Sequence, residues 1–154
     1  MCLGGFSHYT MLIKDLIKHT VDTIPTHNSY TDSLCSYSEY IFNFRFVGLK
    51  LPRRSGKTET LLALHREISS MLLVPNMLLH PGGSHRGIFT FSEIENINCR
   101  IRGRGFNGLK YQAILVDEYQ VMKSSQLDDL RNLLYTMKAA DILTTDFYIL
   151  GLGT

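Results

Sequence analysis

With 154 residues, 44% of them hydrophobic and 19% charged, the chain has the makeup of one globular domain with a core of its own. A formal charge of +2 is too slight to argue for a nucleic-acid partner by itself, and no run approaches the roughly 20 apolar residues of a membrane span. Three cysteines, Cys2, Cys35 and Cys99, form no Cys-x-x-Cys pair and the six histidines are scattered, which argues against a disulfide framework or a zinc site. The opening Met-Cys-Leu-Gly-Gly-Phe lacks the basic region and long apolar stretch of a secretory signal, so a cytoplasmic setting with reduced thiols is expected.

The first segment, His8 to Ile24, sets Leu12, Ile13, Leu16, Ile17 and Val21 at helical spacing. Pro25 to Ser29 reads as a break, followed by a helix from Ser33 to Phe42 and a strand from about Phe44 to Leu49. Residues 1–43 thus form a helical preface, and residues 44–154 the core. Lys57 to Ser70 is the next expected helix, then Met71 to Val74 a strand stopped by Pro75. His80 to Arg86 reads as loop and Gly87 to Phe91 as a strand. Residues 97–110, rich in Arg and Gly, fit no element. Within them Arg100, Arg102 and Arg104 alternate, as a run meeting phosphates or as a solvated loop. Ala113 to Val116 is a buried strand, Ser124 to Lys138 a helix with Leu127, Leu130, Leu133 and Leu134 on one side, and Phe147 to Leu150 the last strand. Strands alternating with helices imply an α/β fold: a mostly parallel sheet covered on both faces.

The segment Leu51-Pro52-Arg53-Arg54-Ser55-Gly56-Lys57-Thr58 lies between an apolar strand and a helix, the context a phosphate loop requires. Backbone N–H groups at a helix start point at an anion, and the helix dipole adds positive potential. Gly56 permits close backbone approach, Lys57 brings a mobile charge to β- and γ-phosphates, and the Thr58 hydroxyl suits Mg²⁺. The usual first glycine of the pattern is Leu51 here, so a helix that merely starts with a lysine is the competing account.

Tyr111 to Glu118 is an apolar strand ending in two adjacent carboxylates. Because residues at the carboxyl ends of neighbouring parallel strands face one crevice, Asp117 is expected beside Thr58 to hold Mg²⁺. Glu118 is then placed to orient and deprotonate a hydrolytic water. The last strand runs into Gly151-Leu152-Gly153-Thr154, read as a turn able to sense the γ-phosphate or as an ordinary Gly-rich turn.

These residues resemble the large-subunit terminases, the DNA-packaging motors of tailed bacteriophages and herpesviruses. Phosphate loops of that family often lack the first glycine and carry an arginine three residues before Gly-Lys-Thr, the place of Arg53. The resemblance implies a P-loop NTPase fold of the RecA-like kind, with ATP and Mg²⁺ as cofactors. It implies catalytic roles for Lys57, Glu118 and Arg53, the last as an arginine finger acting in cis, with Arg54 as the neighbouring candidate. Pro52 through Thr58 would hold the phosphates, and Thr58 with Asp117 the metal. Arg102 to Phe106 looks like the family's Arg-Gly segment, and Gly151, Gly153 and Thr154 look like the start of its coupling motif. Tyr37 to Phe46 lies where the family often contacts adenine. Implied partners are double-stranded DNA, a portal, a small terminase subunit and further copies in a ring, in the host cytoplasm.

The likeness covers about residues 35–154. Packaging terminases carry a nuclease domain after the ATPase, and none is assignable here, so a fragment or a split gene and an incomplete sheet are expected. Two other classes stay open: a helicase-like nucleic-acid-dependent ATPase, although Tyr119-Gln120 after the carboxylates departs from the common helicase box, and a catalytically inactive binding module.

Overall fold

A computed structural model describes residues 2–24, 35–53, 56–76, 87–104 and 110–154. The expected break at Pro25 to Ser29, the expected loop at His80 to Arg86, and Arg54, Ser55 and Gly105 lie outside the described residues.

In chain order the elements are α1 (Cys2–Thr23), α2 (Tyr37–Phe44), β1 (Phe46–Lys50), α3 (Lys57–Glu67), β2 (Ser70–Val74), β3 (Ile88–Thr90), α4 (Ile94–Arg104), β4 (Tyr111–Asp117), α5 (Ser124–Ala139) and β5 (Leu143–Gly153). Every strand pairing is parallel, in the order β1-β5-β4-β2-β3. The α/β expectation therefore holds. Parallel strands buried on both faces need near-continuous apolar runs, and β2 is buried at all five positions and β4 from Ala113 to Asp117.

Alternation along the strands sends successive side chains to opposite faces. On one face Leu72, Val74, Leu115, Leu150 and Leu152 pack with Ile13 and Ile17 of α1 and Leu61 and Leu64 of α3. On the other, Met71, Leu73, Ile114, Val116 and Ile149 pack with Tyr40 and Ile41 of α2, Ile94, Ile97 and Ile101 of α4, and Leu130, Leu133, Leu134 and Met137 of α5. The helices thus cover both faces, and α1 and α2 each share one of these two cores with the sheet.

Two elements differ from expectation. The Arg-rich stretch that fits no element in the sequence starts as α4, whose Ile94, Ile97 and Ile101 recur at helical spacing and are all buried. A reciprocal cap prepares that helix, with Thr90 N–H donating to Glu93 Oε1 at 3.0 Å. Arg100 and Arg102 are therefore exposed helix residues rather than loop residues, and the Arg102 Nε–H donates to Thr136 Oγ1 at 3.4 Å. Successive steps of 100° spread positions 100, 102 and 104 over more than half the helix circumference, so the alternation makes no single stripe.

The second difference is β5. It continues through Gly151 to Gly153 instead of turning after Leu150. Glycine disfavours strands by propensity, but β5 is a central strand that hydrogen-bonds β1 on one side and β4 on the other. Paired backbone on both sides outweighs a local preference of at most about 1 kcal/mol per residue.

Candidate functional site

Register brings three strand ends to one edge of the sheet. Lys50 of β1 pairs with Gly153 of β5, and Asp117 of β4 pairs with Leu152. The strand that leads to Gly56 and the strand that carries the two carboxylates are not neighbours, however; β5 lies between them. Two strand spacings are about 9.5 Å, a gap a side chain of β1 would not span. The chain closes it by leaving β1 at Leu51, whose N–H donates to Gly153 O at 2.7 Å, and returning over the edge as α3.

Gly56 makes the return possible. It caps α3 with φ 83° and ψ 21°, a left-handed conformation that costs a side-chain-bearing residue about 1–2 kcal/mol. Its carbonyl accepts from Thr60 N–H at 2.9 Å and from the Thr60 hydroxyl at 2.8 Å, which locks the first turn of α3. Lys57 and Thr58 are then the first two helical residues, set directly above the carboxyl ends of the strands.

Thr58 Oγ1 donates to Asp117 Oδ2 at 3.2 Å, and Asp117 is only 4% exposed. Among the described residues no group of three His, Cys, Asp or Glu could hold a metal. Magnesium bound with nucleotide does not need one, since it takes one or two protein oxygens and completes its shell with water and phosphate. Two neighbouring ligands of an octahedral Mg²⁺ at about 2.1 Å stand about 3 Å apart, so the Thr58 and Asp117 oxygens fit such an ion.

Glu118 follows with φ 52° and ψ 48°, a left-handed conformation in a residue that carries a side chain. Lys57 Nζ lies 2.6 Å from Glu118 Oε1. The Thr154 hydroxyl donates to both carboxylate oxygens, at 3.1 and 3.3 Å, and Gln120 Nε2 donates to Oε2. Burial pushes the Glu118 carboxyl up. Hydrogen bonds from Lys57, Gln120 and Thr154, with the charge of Lys57, outweigh that and hold it below the usual carboxylate range.

A lowered value in the folded state carries a sign for stability. The contribution of Glu118 is fully present above pH 4.5, its ordinary value, and is lost as pH falls through the lowered one. Denaturant unfolding between about pH 7 and about pH 3 should therefore show wild type losing stability relative to Glu118→Gln only in the acid limb. Parallel curves for the two proteins over that range would contradict the assignment.

Of the residues singled out in the sequence, the fold gathers Lys57, Thr58, Asp117, Glu118 and Thr154 into one set of two contact groups, Thr58 with Asp117 and Lys57 and Thr154 with Glu118, which adjoin through the Asp117–Glu118 peptide. Pro52 and Arg53 are exposed in the turn before Gly56, and Arg53 shares no hydrogen bond or ion pair with that set among the described contacts. Gly151 and Gly153 are buried strand residues, and a Cβ on either would press against the Tyr119–Gln120 segment. Two contributors escaped the sequence reading, Gln120 and Tyr119. The available signal was their place immediately after the two carboxylates, where a short turn has to fold back over the edge of the sheet.

No helix among the described residues is long and apolar enough to cross a membrane. Compared with models of known protein families and with curated protein sequences, the chain matches none.

Proposed function

We propose that the chain binds ATP with Mg²⁺ and hydrolyses it as the motor part of a terminase-like DNA-packaging ATPase. The observation that carries the reading is the convergence of Lys57 and Thr58, from the start of α3, on Asp117 and Glu118, from the end of β4. Three groups of a hydrolytic phosphate site meet there: a cation for the phosphates, a hydroxyl–carboxylate pair suited to Mg²⁺, and a second carboxylate for the water. The DNA-packaging part rests on the likeness of Arg53, the loop without its first glycine, and Asp117-Glu118 to the terminase pattern.

In this reading Thr58 and Asp117 hold the metal, which when bound supplies charge neutralisation to the β- and γ-phosphates. Lys57 exchanges partners. Its ammonium pairs with Glu118 across a site where the two side chains are 14% and 27% exposed, and a phosphate entering at the helix start competes for it. Once Lys57 turns to the phosphate, a lone pair on Glu118 is free to accept a proton from water. Thr154 and Gln120 keep donating to the carboxylate and hold its orientation. Arg53 is close in sequence to Gly56 and exposed, which leaves it able to swing toward a γ-phosphate.

The test is phosphate release by the full chain with Mg²⁺ and ATP, with and without double-stranded DNA. Magnesium-dependent turnover that DNA stimulates is the expected result. Failure to bind ATP would overturn the reading and leave a binding module, and unwinding of a DNA duplex without packaging partners would point to a helicase.

A further inference from the structure

The residue after the two carboxylates, half-buried Tyr119, lays its side chain against the strands at the edge of the sheet. Tyr119 opens a single turn of 3₁₀ helix, Tyr119–Val121, in which Val121 N–H donates to Glu118 O at 3.0 Å and Met122 N–H to Tyr119 O at 3.2 Å. Its ring lies across the ends of β1 and β5 on three glycines. A Cβ on Gly151 would stand 2.9 Å from ring carbons Cγ and Cδ1, closer than packed atoms come. A Cβ on Gly153 would stand 3.2 Å from Cε1, and one on Gly48 3.3 Å from the hydroxyl oxygen. The Phe46 ring meets Tyr119 edge-on with centroids 5.9 Å apart. The glycines therefore form a floor cut to the ring, and any larger residue at Gly151 would lift it.

We propose that Tyr119, seated on the Gly48–Gly151–Gly153 floor, is the positioning residue that holds Glu118 in its left-handed conformation and aims its carboxylate. The proposal rests on the reading of Glu118 as the group that activates water. A non-glycine residue stays in such a conformation only where its surroundings over-determine it. Here the backbone on the far side of Glu118 is fixed by β4, which ends at Asp117, and the near side by the seated ring. The same floor aligns the carboxylate's donors. Thr154 follows Gly153 directly and Gln120 follows Tyr119, and both donate to Glu118. The aromatic face makes the fit, so phenylalanine preserves it and alanine does not.

The experiment compares Tyr119→Ala, Tyr119→Phe, Gly151→Ala and the Tyr119→Ala/Gly151→Ala double variant with wild type. For each, kcat, the Kd for ATP with Mg²⁺ and the thermal midpoint are measured on the full chain. An angstrom of misplacement in a catalytic group costs up to about 100-fold in rate, so Tyr119→Ala and Gly151→Ala should each lower kcat by about 10- to 100-fold. Their Kd should stay within about 3-fold of wild type, because the phosphate-binding groups are on α3. Tyr119→Phe should recover kcat to within about 3-fold. The double variant should stay within about 3-fold of Tyr119→Ala, because the 2.9 Å ring contacts that a Cβ at position 151 would strike are gone and only the 3.1 Å approach to the Cβ of residue 119 remains.

Should Tyr119→Ala fail to fold, Tyr119→Leu takes its place in the comparison, with the same expectation. Unchanged kcat in Tyr119→Ala, or a double variant slower by the full product of the single effects, would overturn the proposal. Loss of Kd and kcat together with a lowered thermal midpoint would reduce Tyr119 to a packing residue and overturn it as well. Glu118→Gln in the same assay separates the two levels. If wild type turns over and Glu118→Gln does not, any failure belongs to the positioning role alone. If wild type itself does not turn over, the functional reading falls and this role falls with it.

Discussion

Glu118→Gln is expected to bind ATP with Mg²⁺ at least as tightly as wild type and to lose turnover by about 100- to 10,000-fold, the range a positioned general base contributes. The amide keeps the shape and can still accept from Thr154, so the turn that carries it should persist. What disappears is the acceptor for the water's proton and the charge that pairs with Lys57 at 2.6 Å. Losing the charge favours nucleotide binding, because the phosphates no longer compete for the ammonium. The gain is small. A partly exposed ion pair contributes about 0–1 kcal/mol, so Kd should tighten by no more than about 5-fold. Isothermal titration and steady-state phosphate release on the same preparation check both halves. A variant that hydrolyses at the wild-type rate removes Glu118 from the chemistry, and one that no longer binds points to a structural role.

Lys57→Ala should give the opposite pattern, with binding lost before turnover is considered. Truncating one side of a phosphate–ammonium contact costs about 2–5 kcal/mol, which is about 30-fold or more in Kd. Fold stability should change by less than about 1 kcal/mol, since Glu118 retains Thr154 and Gln120 as donors and the pair is open to solvent on one side. The Glu118 carboxyl should move up toward its ordinary range, because Lys57 is the first of the groups that lower it. Titration of nucleotide by fluorescence and a thermal melt measure the two effects separately. Wild-type nucleotide affinity in Lys57→Ala would mean that the start of α3 is not where the phosphates bind.

The two replacements probe one contact from both ends, and their contrast identifies the direction of exchange. If Lys57 has only the structural role of pairing with Glu118, the two variants should behave alike. If it leaves Glu118 for phosphate, one variant binds without turning over and the other does not bind. That difference does not depend on whether DNA is the partner, so it tests hydrolysis apart from packaging.

Much of the framework is legible in the sequence because it is written in local terms. The short apolar run of Ala113 to Val116 reads as a strand buried on both faces, and Ser124 to Lys138 repeats leucines at helical spacing. Gly56-Lys57-Thr58 after an apolar strand and Asp117-Glu118 at the end of another place the candidate site within a few residues. The helix α4 was equally legible in Ile94, Ile97 and Ile101, but the polar residues between them and the Arg-Gly-Arg that follows Ile101 obscured the period. The extension of β5 through Gly151 and Gly153 was not legible, because nothing local in Gly-Leu-Gly favours a strand.

The sequence by itself determined the α/β alternation, the start of α3 and the two carboxylates, since each depends on neighbours within a few positions of the chain. Only the tertiary structure decided that β5 enters between β1 and β4, that Lys57 meets Glu118, and that Tyr119 rests on three glycines from two strands. Those contacts join residues that are scores of positions apart, and their partners are chosen by strand order and register. Strand order follows from which apolar faces bury best together, a property of the whole core that no short stretch of chain carries.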